Sequence, residues 1–193
     1  MLRQLIEWDQ DVFFMINRNY TSDWQDIIMP LVRQPLFWAP LYLFLLAFAW
    51  FNFSRQSWWW MLSAGITVTL TDLISSRVFK PMIGRLRPCN NPELSDYVRL
   101  LADYCGQNGS FTSSHAANHF GMAMFFFITL EQLAGKYRYL FFLWAILVCY
   151  AQIYVGVHFP LDVAGGAVLG MLVGKFVANL FHRKIGIISN HEQ

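Results

Sequence analysis

Five apolar stretches, at roughly 36–53, 58–79, 115–134, 139–157 and 160–181, divide this chain. Each is near the ~20 residues that a helix needs to cross a bilayer. Nothing else in the sequence constrains the fold as strongly, because a chain in lipid must satisfy its own backbone hydrogen bonds. Composition agrees: 56% of the 193 residues are hydrophobic and 13% charged, about half the charge of an ordinary soluble domain. The expected class is all-α, an integral membrane helical bundle of about five to six transmembrane helices. A net charge of +2, with no basic run and no glycine-rich phosphate loop, gives no footing to nucleic acid. The partner that composition implies is the bilayer, and no feature specifies an oligomeric state.

No composition break marks a linker, so 1–193 reads as one domain. Residues 3–18 and 22–33 mix apolar and polar side chains at helical spacing, the second behind a Ser22 cap and with Trp24, Ile27, Ile28 and Leu31 as its apolar set. Both are too polar to span. They are expected to lie in the interface or against the bundle, which makes 1–35 interfacial and 36–181 the transmembrane part. Glu7, Asp9 and Asp11 interrupt the first segment, so it does not read as a cleaved leader. The short connections at 54–57 and 135–138 carry Arg55, Lys136 and Arg138, and Arg183 and Lys184 follow the last stretch. Five crossings put these groups on one face, beside Trp58, Trp59 and Trp60 as an aromatic belt, and the positive-inside rule makes that face cytoplasmic. Long loop 80–114 and junction 154–162 then share the outer face. Lys80, Arg85, Arg87 and Arg99 also lie there, which fits the rule only if they serve a ligand. Gly166, Gly170 and Gly174 recur every four residues and form a smooth face for helix packing. Cys149 belongs to an apolar core, whereas Cys89 and Cys105 share a polar loop and would pair in an oxidising compartment.

Three polar stretches converge on the outer face. At the junction, Val157-His158-Phe159-Pro160-Leu161-Asp162 places proline where a helix starts, so His158 precedes that start and Asp162 lies one turn inside. A carboxylate there can hold one imidazole nitrogen and leave the other free to react. Alternatively, the two groups merely satisfy each other. Lys80-Pro81-Met82-Ile83-Gly84-Arg85-Leu86-Arg87 sets three cations at a membrane surface. They either snorkel to headgroups or form an anion cage suited to phosphate oxygens. Ser113 or Ser114 would cap a helix that opens with His115, and such an N-terminus is itself an anion site. Together these groups are the set that phosphoryl transfer calls for: cations for the equatorial oxygens, a nucleophile and a proton donor.

At these residues the chain resembles the type 2 phosphatidic acid phosphatase family. Lys80, six residues, then Arg87-Pro88 is similar to that family's first motif. Ser110-Phe111-Thr112-Ser113-Ser114-His115 resembles the second, Pro-Ser-Gly-His. Ala151-Gln152, five residues, His158, three residues and Asp162 resembles the third, Ser-Arg-x5-His-x3-Asp. The resemblance covers roughly 58–180. It implies a metal-independent membrane phosphatase without cofactors. His158 would be the nucleophile that forms a phosphohistidine, Asp162 its orienting partner, and His115 the acid and later the base. Lys80, Arg87, Ser113 and the backbone at Ser114 would hold phosphate, with Arg85 and Gln152 beside them. The implied substrate is a lipid phosphate, first an isoprenoid diphosphate such as undecaprenyl diphosphate, then phosphatidic acid, phosphatidylglycerol phosphate or lipid A phosphates. The expected setting is a bacterial inner membrane, multi-pass, with the site facing the periplasm.

Three departures qualify this. Thr112 and Ser114 stand where the family has Pro and Gly, and Gln152 stands in place of the third-motif Arg. Gln keeps hydrogen-bond donors but lacks a full charge, a difference of a few kcal/mol in the transition state unless Arg85 or Arg99 compensates. A weakly catalytic lipid-binding member is one alternative. A zinc hydrolase is another, since His115 and His119 have metal-ligand spacing, but the zincin pattern needs Glu after the first histidine and Ala116 is there.

Overall fold

The computed structural model describes residues 1–53 and 55–186; Ser54, in the first short connection, and residues 187–193 lie outside that description. Among the described residues all regular structure is helical. Helices α1 (Leu2–Phe14) and α2 (Asp23–Val32) precede α3 (Ala39–Asn52), which opens on a tight turn at Pro35–Trp38. Helix α4 (Gln56–Leu73) runs through a π-helical turn at Ile74–Phe79 into the short α5 (Lys80–Ile83), ended by Gly84 in the left-handed region at φ 63°. After the long loop come α6 (Ser114–Thr129), the short α7 (Glu131–Ala134), α8 (Leu140–Tyr154) and α9 (Pro160–Lys184).

Five long helical segments therefore fall on the five apolar stretches. Three of them, Pro35–Asn52, Glu131–Tyr154 and Pro160–Lys184, are long and apolar enough to cross a membrane. The other two are α6, in which no residue is exposed, and α4, whose inward face carries polar side chains while Trp58, Leu62 and Ile66 stay outside. Helix α6 packs against α9, α8 and α4. In α4, Thr67 and Thr71 are fully buried and donate to the carbonyls of Ser63 at 2.9 Å and Thr67 at 3.0 Å. A hydroxyl that bonds the preceding turn hides its polarity from lipid. The opposite case is α3, whose Leu43, Phe44 and Phe51 are exposed on the outside of the bundle.

The α6–α9 contact sets the spacing of the interior. A methyl group built at Gly170 would lie 2.3 Å from the Ala117 carbonyl oxygen, and one at Gly174 would lie 2.2 Å from that of Gly121. The two backbones touch, as the glycine spacing predicts. Trp60 departs from the expected belt. Trp58 and Trp59 are exposed, but Trp60 is buried, stacks on Phe126 and donates its indole N–H to Thr129 at 2.9 Å. Three consecutive residues on a helix point about 100° apart, so one of them must face inward.

Helices α1 and α2 lie against the bundle at the end that carries the long loop. Asn17 donates to the carbonyls of Arg99 and Tyr154 at 2.9 and 2.8 Å and accepts from the Arg99 N–H. Asp26 takes the Arg99 guanidinium at 2.6 Å and the Tyr154 hydroxyl at 2.5 Å. Their apolar side chains Trp8, Trp24, Ile27 and Leu31 remain exposed.

Gly170→Ala is expected to destabilise the bundle by at least about 1–3 kcal/mol, because backbone cannot yield to the methyl group. Gly65→Ala, where nothing lies within 4 Å of the added methyl, should be neutral or gain up to ~1 kcal/mol. Thermal unfolding in detergent compares the two.

Candidate active site

Helix α8 ends at Tyr154, and the chain turns at Gly156 with φ 88°. A side chain there would be strained and would also meet the Arg99 carbonyl oxygen at 2.7 Å. After Phe159 in extended backbone, Pro160 opens α9, so His158 precedes the helix and Asp162 sits in its first turn, as the sequence predicts. Asp162 is fully buried. Its Oδ2 accepts the Phe159 N–H at 2.9 Å and the Ser110 hydroxyl at 2.5 Å, and its Oδ1 accepts Arg85 at 2.8 Å. The carboxylate lies 3.7 Å from Nδ1 of His158, and Ser110 Oγ is nearer to that nitrogen, at 3.3 Å. Ser110 thus bridges the pair, donating to Asp162 and accepting from His158.

The other imidazole nitrogen, Nε2, lies 3.3 Å from Nη1 of Arg87. A guanidinium only donates, so Nε2 carries a lone pair and the proton sits on Nδ1. Burial pushes the His158 pKa down to about 4, against the opposing pull of Asp162 and with Arg87 and Lys80 adding to the fall. The ring is neutral near pH 7.

A cavity of about 560 Å³ opens in front of Nε2, lined by Lys80, Arg87, Ser114, His115, Gln152 and His158. Lys80 lies just past the π-helical turn of α4 and is almost fully buried. Burial, with the nearby Arg87 charge second, lowers its pKa to about 8. Arg87 is braced by the Asn108 carbonyl at 3.2 Å and side-chain oxygen at 2.9 Å. His115, in the first turn of α6, is within electrostatic reach of His158 and Lys80. Three of the expected site residues stand outside the cavity lining: Asp162 behind His158; Ser113 as the α6 cap, accepting the Ala116 N–H at 3.4 Å; and Arg85, which bridges Asp162 and Asp9 at 2.8 and 2.5 Å. Arg99 is spent on Asn17 and Asp26. Neither Arg85 nor Arg99 is in a position to supply the charge that Gln152 lacks.

The family model that matches this arrangement, described as the PAP2 superfamily, spans residues 57–185. The chain belongs to the PAP2 superfamily. It is a membrane phosphatase of that family. A lipid A 4'-phosphatase of Bacteroides thetaiotaomicron is 28% identical over 187 residues, covering 95% of this chain and 81% of that protein. A lipid A 4'-phosphatase of Porphyromonas gingivalis is 36% identical over 118 residues, 60% of this chain and 48% of the relative, so this match spans about half of that relative's length. Among solved structures, a transmembrane PAP2 type phosphatidylglycerolphosphate phosphatase from Bacillus subtilis superposes with a TM-score of 0.66 at 22% identity, over 94% of this chain and 88% of the other, and shares the fold. Aquifex aeolicus LpxE superposes with a TM-score of 0.65 at 25% identity, over 88% and 94%.

The PAP2 match leaves α1–α3 outside it, and two site neighbours from that part were not legible in the sequence. Asp9 is buried against Arg85 and the Leu161 N–H, and Arg33 lines the cavity. Each looked like one of several charges on an interfacial helix. Ser110 lay within the quoted motif without an assigned role. The zinc alternative loses its donor set, since no group of three His, Cys, Asp or Glu side chains among the described residues could hold an ion. His119 instead bonds the His115 carbonyl at 2.8 Å and packs on Trp144.

The loop that carries Asn108 is tied by a Cys89–Cys105 disulfide, and Asn90 donates to the Gly106 carbonyl at 2.8 Å. Denatured without reductant, the protein should titrate one thiol, Cys149, and three after reduction. More than one thiol before reduction would contradict the bridge.

Proposed function

We propose that this PAP2 protein hydrolyses a lipid phosphate monoester, with lipid A carrying a 4'-phosphate as the first substrate. The observation that carries the reaction is the His158 imidazole, oriented from behind by Ser110 and Asp162 and presenting Nε2 to a cationic cavity. Support for the substrate class comes from the relatives named lipid A 4'-phosphatases. The isoprenoid diphosphate expected first from the sequence is the second reading, supported by a 28% identical undecaprenyl-diphosphatase of Sulfolobus acidocaldarius that covers 86% of this chain.

In the proposed mechanism Nε2 attacks phosphorus in line, and the bond to the lipid oxygen breaks. His115 gives its proton to the departing alkoxide, and Asp162 stabilises the charge that forms on the His158 ring. His115 then takes a proton from water, the hydroxide attacks the phosphohistidine, and inorganic phosphate leaves. Lys80, Arg87 and the Ser114 N–H at the start of α6 hold the equatorial oxygens. Met82, Ile83 and Leu86 are exposed between the two cations, an apolar rim along which a lipid tail stays in the bilayer while its headgroup enters. The disulfide in the loop beside the cavity favours an oxidising compartment, hence a site on the periplasmic face of an inner membrane.

A phosphate-release panel in detergent, over lipid A, undecaprenyl diphosphate, phosphatidylglycerol phosphate and phosphatidic acid, tests this directly. Release is expected to be fastest from lipid A, unchanged by a strong chelator, and abolished by His158→Ala. Activity persisting in that variant would refute the nucleophile. The pH profile of kcat/KM is a second check. Below about pH 4 His158 is protonated and loses its lone pair. Above about pH 8 Lys80 loses its charge. The expected profile is a bell whose acid limb reports His158 and whose alkaline side reports loss of the His115 acid proton and, above about pH 8, loss of the Lys80 charge. Lys80→Arg, which stays charged at high pH, should move the alkaline limb upward.

A further inference from the structure

Gln152 is fully buried, lines the cavity, and has neither its amide nitrogen nor its carbonyl oxygen partnered among the described residues. The same cavity is lined by Arg33, from the end of α2, whose Nε is likewise buried without a partner. Arg33 makes no ion pair among the described residues. Asp103 is the carboxylate that acts on it electrostatically, yet no carboxylate comes within ion-pairing distance. Its charge reaches both Arg87 and His115 across the cavity. Three cations, Arg33, Lys80 and Arg87, thus line one cavity, with Asp72 as the carboxylate on the same lining. Like charges gathered in a partly dry cavity repel unless an anion joins them.

The backbone of Arg33 is well placed for such a role. Helix α2 is locked to the bundle through Asp26, Arg99 and Tyr154, and the Val32 carbonyl accepts the Trp38 indole N–H at 2.7 Å. The guanidinium is therefore presented from a fixed helix end. It also comes from outside residues 57–185 that define the family match.

We infer that Arg33 is a phosphate-binding residue of this site, supplying from the N-terminal interfacial helix the positive charge that Gln152 does not carry in the third motif. The inference rests on the phosphatase reading above. Gln152 then serves as a neutral neighbour whose amide shares the same phosphate oxygens, which leaves room for the incoming guanidinium without a second buried charge beside it. The anionic substrate completes a cage drawn from α2, the α5 loop and the start of α6.

Purified full-length protein in detergent is assayed with lipid A as wild type, Arg33→Ala, Arg33→Lys, Gln152→Arg, the Arg33→Ala/Gln152→Arg double variant and His158→Ala. Arg33→Ala is expected to lower kcat/KM on the order of 100-fold and to weaken inhibition by orthovanadate in parallel. Arg33→Lys should fall between wild type and Arg33→Ala, because it keeps the charge and loses the fork. Returning an arginine at position 152 should recover about tenfold or more of the Arg33→Ala loss. Thermal melting separates binding from scaffolding. If Arg33→Ala melts early and the double variant regains neither activity nor vanadate sensitivity, Arg33 is a structural clamp and the inference is wrong. It is equally wrong if Arg33→Ala keeps wild-type kcat/KM and vanadate inhibition. Should wild type release no phosphate from any lipid of the panel, it is the phosphatase reading that falls, and should His158→Ala match wild type, it is the His158 nucleophile.

Discussion

One buried carboxylate organises this molecule. Asp162 has no contact with water, and its two oxygens gather the Phe159 N–H, the Ser110 hydroxyl and the Arg85 guanidinium. An unpaired charge at that depth would cost several kcal/mol, so each of these partners is held where the carboxylate needs it. The Phe159 bond closes the N-terminus of α9, and the Ser110 bond pins the strand of loop that leads into α6. The Arg85 bond extends the network to Asp9 on α1. Helix start, loop and N-terminal helix are joined through one side chain.

The geometry of His158 follows from that arrangement. His158 is four residues before Asp162, but its Nδ1 lies 3.7 Å from the carboxylate, too far for a good hydrogen bond. Ser110 fills the gap. A serine relay transmits orientation while keeping the negative charge slightly back from the ring, so that burial governs the ring's protonation and it is neutral near pH 7. On the other side, Arg87 both addresses Nε2 and depends on Asn108 in the disulfide-tied loop. Nε2 is thus placed by elements distant in sequence, and the glycine contact between α6 and α9 keeps two of them at a fixed distance.

Much of this was legible in the residues. Bilayer-length apolar stretches, proline ahead of Asp162, the glycine period and the basic connections each express a local rule, and the helices begin and end close to where those rules put them. The Cys89–Cys105 pairing needed only a shared polar loop. What failed to show was long-range. Trp60 reads as the third member of a belt and is a core residue. Arg85 reads as an anion ligand but neutralises two carboxylates, and Ser113, read both as a cap and as a phosphate contact, is the cap and stands outside the cavity lining. Arg33 and Asp9 had no signal, because a charge on an amphipathic helix looks the same whether it faces headgroups or a buried partner.

The sequence by itself determined the class of structure and the chemistry available to it: membrane-crossing helices, a histidine before a helix start, and cations on one face. Those follow from hydrophobic length, helix capping and spacing, which act within about one turn or one span. Only the tertiary structure decided which charges neutralise one another and which are left to face the cavity. That partition depends on distance in space. Arg85 and Arg99 met carboxylates of the N-terminal helices, whereas Arg33, Lys80 and Arg87 were left facing one another across the site.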